Sequence, residues 1–179
     1  ITSDKCYLNK EIKKGYKEND QLGGDDPYSA SKACVEIVFN AYAKSFLHNQ
    51  NKYGYATARA GNVIGGGDWS TDRLIPDCIR SIIKKKRLMI RNPNSTRPWQ
   101  HVLEPISGYL LLAKLLYEKK HKYSGNWNFG PSLRETMEVK KVTKLLFSFL
   151  GIDKKIIQTK GSFKETILLK LNSDKAHKL

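Results

Sequence analysis

Residues 26–32 read Asp-Pro-Tyr-Ser-Ala-Ser-Lys, and the segment that they begin decides the fold. Asp26 is a good helix N-cap, and Pro27 suits the first helical position because no backbone N–H is needed there. The side chains that follow recur at helical spacing over about five turns. One group shares a face and a second lies beside it: Cys34, Val38, Ala41 and Ser45, then Val35, Ile37, Tyr42 and Phe46. The pattern predicts a long helix.

Short apolar runs alternate with helical patterns along the rest of the chain. The predicted elements are strands over residues 1–3, 55–60, 88–91 and 126–129, and helices over 74–83, from Pro105 onward, over 138–150 with Gly151 as its end, and after a cap at Ser173. Such alternation is typical of an α/β fold with a parallel sheet.

Positive charge dominates the composition. The 179 residues include 32 Lys and Arg against 17 Asp and Glu, which gives a net charge of +15. One interpretation is a basic module that binds nucleic acid or acts as a scaffold. However, the lysine runs at 84–86 and 119–120 end apolar helical patterns, where the helix dipole favours cations. We therefore expect no nucleic-acid partner, and an anionic small molecule as the substrate.

Cysteine, histidine and apolar residues are distributed as in a cytoplasmic protein. Cys6, Cys34 and Cys78 are widely spaced and odd in number, which favours reduced thiols over a disulfide framework. The histidines are scattered, so no metal site is predicted. No apolar run approaches the roughly 20 residues that span a bilayer, and no export leader opens the chain. We expect a cytoplasmic protein without a membrane partner.

Tyr28 and Lys32 are the residues of this segment that can carry chemistry. They are four positions apart and so lie on one helical face. An ammonium near a phenol stabilises the phenolate, which could then act as a general base. Polar residues also follow two predicted strands, at 2–5 and at 59–69, where open α/β sheets bind ligands.

These motifs resemble the extended short-chain dehydrogenase/reductase family, also called the NAD-dependent epimerases/dehydratases. The resemblance is strongest to its CDP-glucose 4,6-dehydratase branch. It rests on Thr-Ser-Asp-Lys-Cys-Tyr (2–7), Asp-Pro-Tyr-Ser-Ala-Ser-Lys (26–32), Arg-Ala-Gly-Asn-Val-Ile-Gly-Gly-Gly-Asp-Trp (59–69), Asp-Arg-Leu-Ile-Pro-Asp (72–77), Thr-Arg-Pro-Trp-Gln-His-Val-Leu-Glu-Pro (96–105), Asn-Trp-Asn-Phe-Gly-Pro (126–131) and Leu-Lys-Leu-Asn-Ser-Asp-Lys-Ala (169–176).

The resemblance implies NAD as the cofactor and a catalytic role for five residues. Tyr28 would take the proton of the sugar 4-hydroxyl, Lys32 would hold the nicotinamide ribose, and Ser3 would bond the same hydroxyl. Asp4 would protonate the departing 6-hydroxyl. Lys5 stands where most sugar 4,6-dehydratases have glutamate, and its ammonium favours an ionised Asp4. Either Lys5 is itself the base at C5, or the two residues share a proton.

Binding residues follow from the same resemblance. Ala60 would line the cofactor site, and the substrate would contact Asn62, Leu74, Ile75, Arg91, Arg97 and Glu165. Arg97 would bind the diphosphate, because a guanidinium forms bidentate bonds, and Arg91 could help at the nucleotide. The triple glycine at 65–67 lacks the ending of a P-loop and is expected to form a turn of the substrate domain. Core packing is expected for Trp99.

The resemblance also implies an architecture. Residues 1–66 and 100–130 would be the second half of an NAD(P)-binding Rossmann domain, and residues 67–99 and 131–179 a smaller α/β domain that binds the nucleotide-sugar. Because the chain has no Gly-x-Gly-x-x-Gly motif, we expect a carboxy-terminal fragment that alone binds NAD poorly and has no turnover. The full-length protein is expected to be a homodimer or tetramer. Alternatives within the family are a sugar-nucleotide epimerase or a GDP-mannose 4,6-dehydratase.

Overall fold

The computed structural model describes residues 1–47, 54–153, 156–158 and 167–179. Its strands are β1 (Thr2–Ser3), β2 (Ala56–Ala60), β3 (Val63–Ile64), β4 (Leu88–Ile90), β5 (Thr96–Arg97), β6 (Gln100–His101), β7 (Gly125–Phe129), β8 (Met137–Glu138) and β9 (Ile156–Gln158). Its α-helices are α1 (Pro27–Tyr42), α2 (Leu74–Ile83), α3 (Leu103–Lys119) and α4 (Val139–Phe149). Short 3₁₀ helices cover Asp4–Cys6, Lys120–Tyr123 and Ala176–Lys178, and a π-helical turn covers Ala43–Leu47.

A parallel sheet in the order β1-β2-β7 forms the centre of the fold. Its register aligns Ser3 with Ala60 and Ala60 with Phe129, so the carboxyl ends of the three strands lie level. The predicted α/β class with a parallel sheet is confirmed. β1 and β2 lead at once into the polar segments that carry the candidate site.

Helix α1 begins as predicted, since the Asp26 carboxylate accepts a hydrogen bond of 3.0 Å from the Ser29 N–H. Its buried face is small and polar, with Ser29, Ala33 and Glu36 turned inward. The apolar side chains of the sequence pattern are largely exposed: Val35, Ile37, Val38, Tyr42 and Phe46. The sheet beneath α1 explains this, because its side chains there include Thr57 and Arg59, which need a polar partner.

Helix α3 packs on the opposite face of the sheet, where Leu112 joins Ala58, Trp127 and Phe129 in an apolar cluster. The prediction that α3 starts at Pro105 was wrong by two residues, because the helix begins at Leu103. A proline is tolerated in the first helical turn, where backbone N–H groups have no intrahelical acceptor. Gly108 brings α3 close to β7.

A second cluster lies between α2 and α4, where Cys78 and Phe147 pack against Leu88 and Ile90 of β4. β4 pairs in parallel with β9, and β5 pairs antiparallel with β8. The predicted strand 88–91 ends one residue early, at Ile90. Helix α4 ends before Gly151, which has the left-handed φ of +64° that its role as a terminator requires.

The predicted cap at Ser173 was wrong. Its hydroxyl is buried and has no hydrogen-bond partner among the described residues, while its backbone carbonyl accepts from His177 N–H at 3.0 Å. Only a short 3₁₀ helix follows. β3 and β6 pair with each other, and both lie within the segments 1–66 and 100–130 that were assigned to one domain; the division into two domains stays a prediction.

The thiols, the metal-ligating side chains and the helices bear on the expectations from composition. Cys6, Cys34 and Cys78 are free thiols, and the first and third are buried. Within the described residues, no group of acidic residues, histidines and cysteines could hold a metal ion. In the same part of the chain, no helix is long and apolar enough to cross a membrane.

Gly108→Ala is expected to destabilise the protein by about 1–3 kcal/mol, because overpacking a core contact costs that much. A Cβ at this position would lie 2.5 Å from the Phe129 ring, so the clash outweighs the roughly 1 kcal/mol gained in helix propensity. Urea unfolding measures the effect. Gly66→Ala is the control, since a Cβ there meets nothing within 4 Å. Equal stability of the Gly108→Ala protein would contradict this packing.

Candidate active site

The candidate site lies at the carboxyl ends of β1 and β2, beside the first turn of α1. Ser3 is the last residue of β1, and its hydroxyl accepts a hydrogen bond of 3.2 Å from the Lys5 N–H. That bond caps the 3₁₀ turn Asp4–Cys6 and turns the chain away from the sheet. Ligands of open α/β sheets bind at this edge because the loops diverge there.

A cavity of about 800 Å³ opens at this edge. It brings together most of the residues predicted from the sequence: Ser3, Asp4, Lys5, Tyr28, Asn62, Leu74, Ile75, Arg91 and Arg97. Lys32 and Ala60, both within the described part of the chain, do not line it. Glu165 lies outside the described residues. A cavity of this size is within the range that holds small-molecule ligands.

Asp4 is almost fully buried, with 4% of its surface exposed. Its Oδ1 accepts a hydrogen bond of 3.1 Å from the Ser3 hydroxyl, whereas Oδ2 has no hydrogen-bond partner among the described residues. Gly61 lies beside the carboxyl. A Cβ at Gly61 would stand 3.4 Å from Asp4 Oδ2 and 2.5 Å from Pro98 Cγ, so only glycine fits.

Burial raises the pKa of Asp4 above its ordinary value of 3.8. The charges of Lys5 and Arg97 and the hydrogen bond from Ser3 act in the opposite direction and do not offset the desolvation. The sequence suggested that Lys5 would keep Asp4 ionised, and it does lower the pKa. The structure adds the burial, which is the larger effect and favours the carboxylic acid.

Tyr28 stands at the start of α1 with 52% of its surface exposed, so its hydroxyl is accessible from the cavity. Lys32, one turn further along, has its Nζ atom 5.3 Å from the centroid of the Tyr28 ring. The two residues therefore share a helix face, as their spacing predicts. Lys32 lies over the Tyr28 ring, one helical turn further along α1, and is not one of the residues that line the cavity.

The two arginines differ in their surroundings. Arg97 is buried and donates from Nη1 to the carbonyl oxygens of Thr96, at 3.0 Å, and Ile167, at 3.3 Å. Its charge also acts on Asp4, so it lies toward the reaction end of the cavity. Arg91 is half-exposed, and its Nη2 lies 3.7 Å from Asp72 Oδ1. Arg91 therefore presents its guanidinium toward solvent.

Two residues of the site were missed by sequence reasoning. Gln100 donates its backbone N–H to the Asn62 carbonyl at 3.0 Å and its Nε2 to the Phe129 carbonyl at 3.1 Å, which ties Asn62 to the sheet. Trp69 lines the cavity with 58% of its surface exposed. Arg80 holds its loop by donating to the Trp69 carbonyl at 2.8 Å. A lone tryptophan just after a triple glycine was the available signal.

Trp99 is half-buried, and its indole N–H donates to the Met137 carbonyl at 3.0 Å. It also lines the cavity, so it serves packing and site together. Gly66 and Gly67 have open space where a Cβ would stand, and Gly67 has a φ of +78°. The triple glycine thus forms a turn at the mouth of the cavity.

Comparison with known proteins identifies the family. Residues 2–130 match the model of the NAD dependent epimerase/dehydratase family. The chain therefore belongs to this family, and its parallel sheet is part of a Rossmann fold. CDP-glucose 4,6-dehydratase of Salmonella typhimurium is 47% identical over 182 aligned residues, which cover 99% of this chain and 51% of that protein. The chain spans about half the length of the curated relative it matches.

Solved structures share the fold at low sequence identity. UDP-glucuronic acid 4-epimerase from Bacillus cereus, with UDP-glucuronic acid and NAD, superposes with a TM-score of 0.84 at 20% identity, covering 100% of this chain and 53% of that one. A dTDP-glucose 4,6-dehydratase from Streptomyces venezuelae, with NAD, gives a TM-score of 0.79 at 18% identity, covering 99% and 51%. Since an epimerase and a dehydratase superpose similarly, the fold alone does not select the reaction.

Asp4→Asn is expected to raise the melting temperature at neutral pH by a few degrees, since about 1 kcal/mol changes it by about 2–4 °C at this size. Between the unfolded pKa of 3.8 and the higher pKa of the folded state, the folded protein binds a proton that the unfolded chain has released, so stability falls as pH rises through that window. The asparagine variant lacks this loss, and its advantage should vanish below about pH 4. Thermal unfolding across pH measures it.

Asp26→Asn is the matched control. The hydrogen bonds from Ser29 lower the pKa of Asp26, so its contribution is lost as pH falls, the opposite slope to that of Asp4. An advantage of Asp4→Asn that shrinks with rising pH would contradict a buried, protonated carboxyl.

Proposed function

We propose that this chain carries the proton-transfer and substrate residues of an NAD-dependent sugar-nucleotide 4,6-dehydratase. The reaction would convert CDP-glucose to CDP-4-keto-6-deoxyglucose. One observation carries the proposal: a buried carboxyl whose pKa is raised, Asp4, shares a cavity with the accessible phenol of Tyr28. Oxidation at C4 alone needs only the phenol, whereas loss of water also needs an acid. The identity to a CDP-glucose 4,6-dehydratase supports the same reaction.

The residues present fit the reactive end of a nicotinamide cofactor. Ser3, Tyr28 and Lys32 are grouped at the carboxyl edge of a parallel sheet, where this fold binds dinucleotides, with Ala60 ending the neighbouring strand. When bound, NAD would supply the hydride acceptor for C4 and the hydride donor for C6. The chain's own motifs include no glycine fingerprint for the pyrophosphate.

The 4-hydroxyl of the sugar loses its proton to Tyr28. Lys32 lies next to this base, with its Nζ atom 5.3 Å from the centroid of the Tyr28 ring, and would hold the nicotinamide ribose. Ser3 lines the cavity at the strand end, and its hydroxyl would turn from Asp4 Oδ1, to which it donates in the free protein, to donate to the same oxygen. The resulting 4-ketone makes the C5 proton acidic, which prepares the elimination.

Asp4 protonates the 6-hydroxyl as it leaves. Burial favours the carboxylic acid form, which is the form that can donate. Lys5 takes part in the elimination, either in its neutral amine form as the base that removes the C5 proton or by sharing a proton with Asp4. Both options place its amine next to Asp4, in line with the effect of its charge on that carboxyl.

The remaining lining residues bind the nucleotide-sugar. Arg91 offers its half-exposed guanidinium to the diphosphate, and Asn62 orients the sugar near the strand end. Leu74 and Ile75 provide an apolar wall. Arg97 contacts the phosphates from the side of the cavity that holds Asp4, and Glu165 is proposed to bind the ribose hydroxyls. CDP-glucose is the proposed substrate because of the 47% identity to a CDP-glucose enzyme.

A second copy of the chain is the proposed partner, and the cytoplasm the proposed location. The exposed apolar face of α1, which holds Val35, Val38 and Tyr42, would be covered in a homodimer or tetramer. Three free thiols suit a reducing compartment.

The full-length gene product should form a 4-keto-6-deoxy sugar from CDP-glucose faster than from dTDP-glucose or GDP-mannose. Tyr28→Phe should lower kcat by about 10²–10⁴-fold, because it removes the general base. Asp4→Asn should stop the loss of water. Product analysis by mass spectrometry decides the matter, because only elimination lowers the product mass by one water. An epimer of unchanged mass would instead support the epimerase alternative.

Val38→Glu should shift the protein from dimer or tetramer to monomer, because it places a charge in the apolar face of α1. Sedimentation velocity measures the change, and Lys44→Glu, an exposed position just beyond α1, is the control. A wild-type protein that sediments as a monomer would contradict the proposed interface.

A further inference from the structure

Beneath α1 lies a cluster of buried polar side chains that the proposed mechanism does not use. Glu36 and Arg59 are both 0% exposed, and their closest oxygen and nitrogen atoms are 2.7 Å apart. Burying two charges is unfavourable, and apolar side chains of similar volume often stabilise such a place as well or better. Stability alone therefore does not account for the pair.

The Glu36 carboxylate joins α1 to two strands. It accepts hydrogen bonds from Thr57 Oγ1 at 2.8 Å and from Arg59 Nη2, both on β2. It also accepts from Thr2 Oγ1 on β1. Burial would raise its pKa, but the bonds from Arg59, Thr2 and Thr57 bring the pKa below its ordinary value, so Glu36 stays ionised. One carboxylate thus holds one helix on both strands.

The Arg59 guanidinium is fixed from its other side. Its Nη1 donates to Tyr7 Oη at 2.7 Å and to the Glu18 carbonyl at 2.9 Å. Tyr7 in turn donates to Asn128 Oδ1 at 2.7 Å, on the third strand of the sheet. A planar guanidinium that makes these bonds cannot rotate freely. Arg59 therefore holds the Glu36 carboxylate in a fixed position.

Glu36 and its partner Thr2 are close along the chain to the groups that are proposed to react. Thr2 precedes Ser3 in the chain, and Glu36 follows Tyr28 by about two helical turns on the same helix. A helix of this length moves as a unit, so a shift at Glu36 displaces Tyr28 relative to Ser3 and Asp4. Small misplacements of a catalytic group, about 1 Å, cost about 10²-fold in rate.

We propose that Glu36 is a positioning residue whose buried carboxylate, paired with Arg59, determines the position of Tyr28 relative to Ser3 and Asp4. The inference deepens the proposed function and rests on it for its effect on rate. The structural part of the inference is the placement of α1 on the strand ends. That placement can be measured without following the reaction.

Two variants separate positioning from stability. Glu36→Met combined with Arg59→Met removes both charges and keeps volume, so it should cost far less stability than either single substitution, which leaves one buried charge unpaired. Leu112→Ala destabilises the opposite face of the same sheet and leaves α1 untouched. In the full-length gene product, the double variant should lose about 10–100-fold in kcat with KM within about 3-fold. Leu112→Ala should keep kcat at a temperature where it is folded.

The placement of α1 is measured on this chain by spin labels. Cys34 on α1 is the exposed cysteine, whereas Cys6 and Cys78 are buried, so labels go to Cys34 and to Val63→Cys beside the strand end. The distance distribution should shift or broaden in the double variant and stay unchanged with Leu112→Ala.

An unchanged distance distribution in the double variant overturns the inference, as does a wild-type kcat in that variant. If the wild-type gene product forms no 4-keto sugar but the distance shifts, the proposed function fails while the placement by Glu36 stands.

Discussion

The arrangement of the site depends on one buried ion pair, Glu36 with Arg59. A parallel sheet aligns Ser3 with Ala60 by its backbone bonds, but nothing in that pairing fixes a helix above it. The carboxylate of Glu36 does so, with bonds to both strands. Because α1 is held by polar contacts, its apolar side chains are left outside, where a second copy of the chain would cover them.

The same edge of the sheet carries a carboxyl whose charge state depends on exclusion of water. Two unit charges about 4 Å apart interact by about 4 kcal/mol at an effective dielectric constant of about 20. Removing an ion from water costs several kcal/mol, so the opposing effects on Asp4 are similar in size. Desolvation is the larger of these effects, and the pKa of Asp4 rises despite Lys5 and Arg97.

The sequence predicted the α/β class, the start of α1 and the grouping of most site residues at the strand ends, because caps, periodicity and the parallel-sheet rule are local or topological. It could not predict that the polar side of α1 faces the sheet, since that depends on Arg59, which contacts Glu36 in space but lies 23 residues further along the chain. Nor could it weigh burial against charge at Asp4, because the burial of this carboxyl arises only in the folded chain. Ser173 failed as a cap because its hydroxyl is buried against the fold.

The reaction proposed for this site removes water across C5 and C6 of a nucleotide-sugar. The most direct measurement follows deuterium from C4-deuterated CDP-glucose through the full-length gene product, with the product analysed by NMR. Dehydration with return of the hydride to C6 predicts deuterium in the new methyl group at C6. Deuterium found back at C4 of a sugar that keeps its 6-hydroxyl would contradict the account and indicate epimerisation.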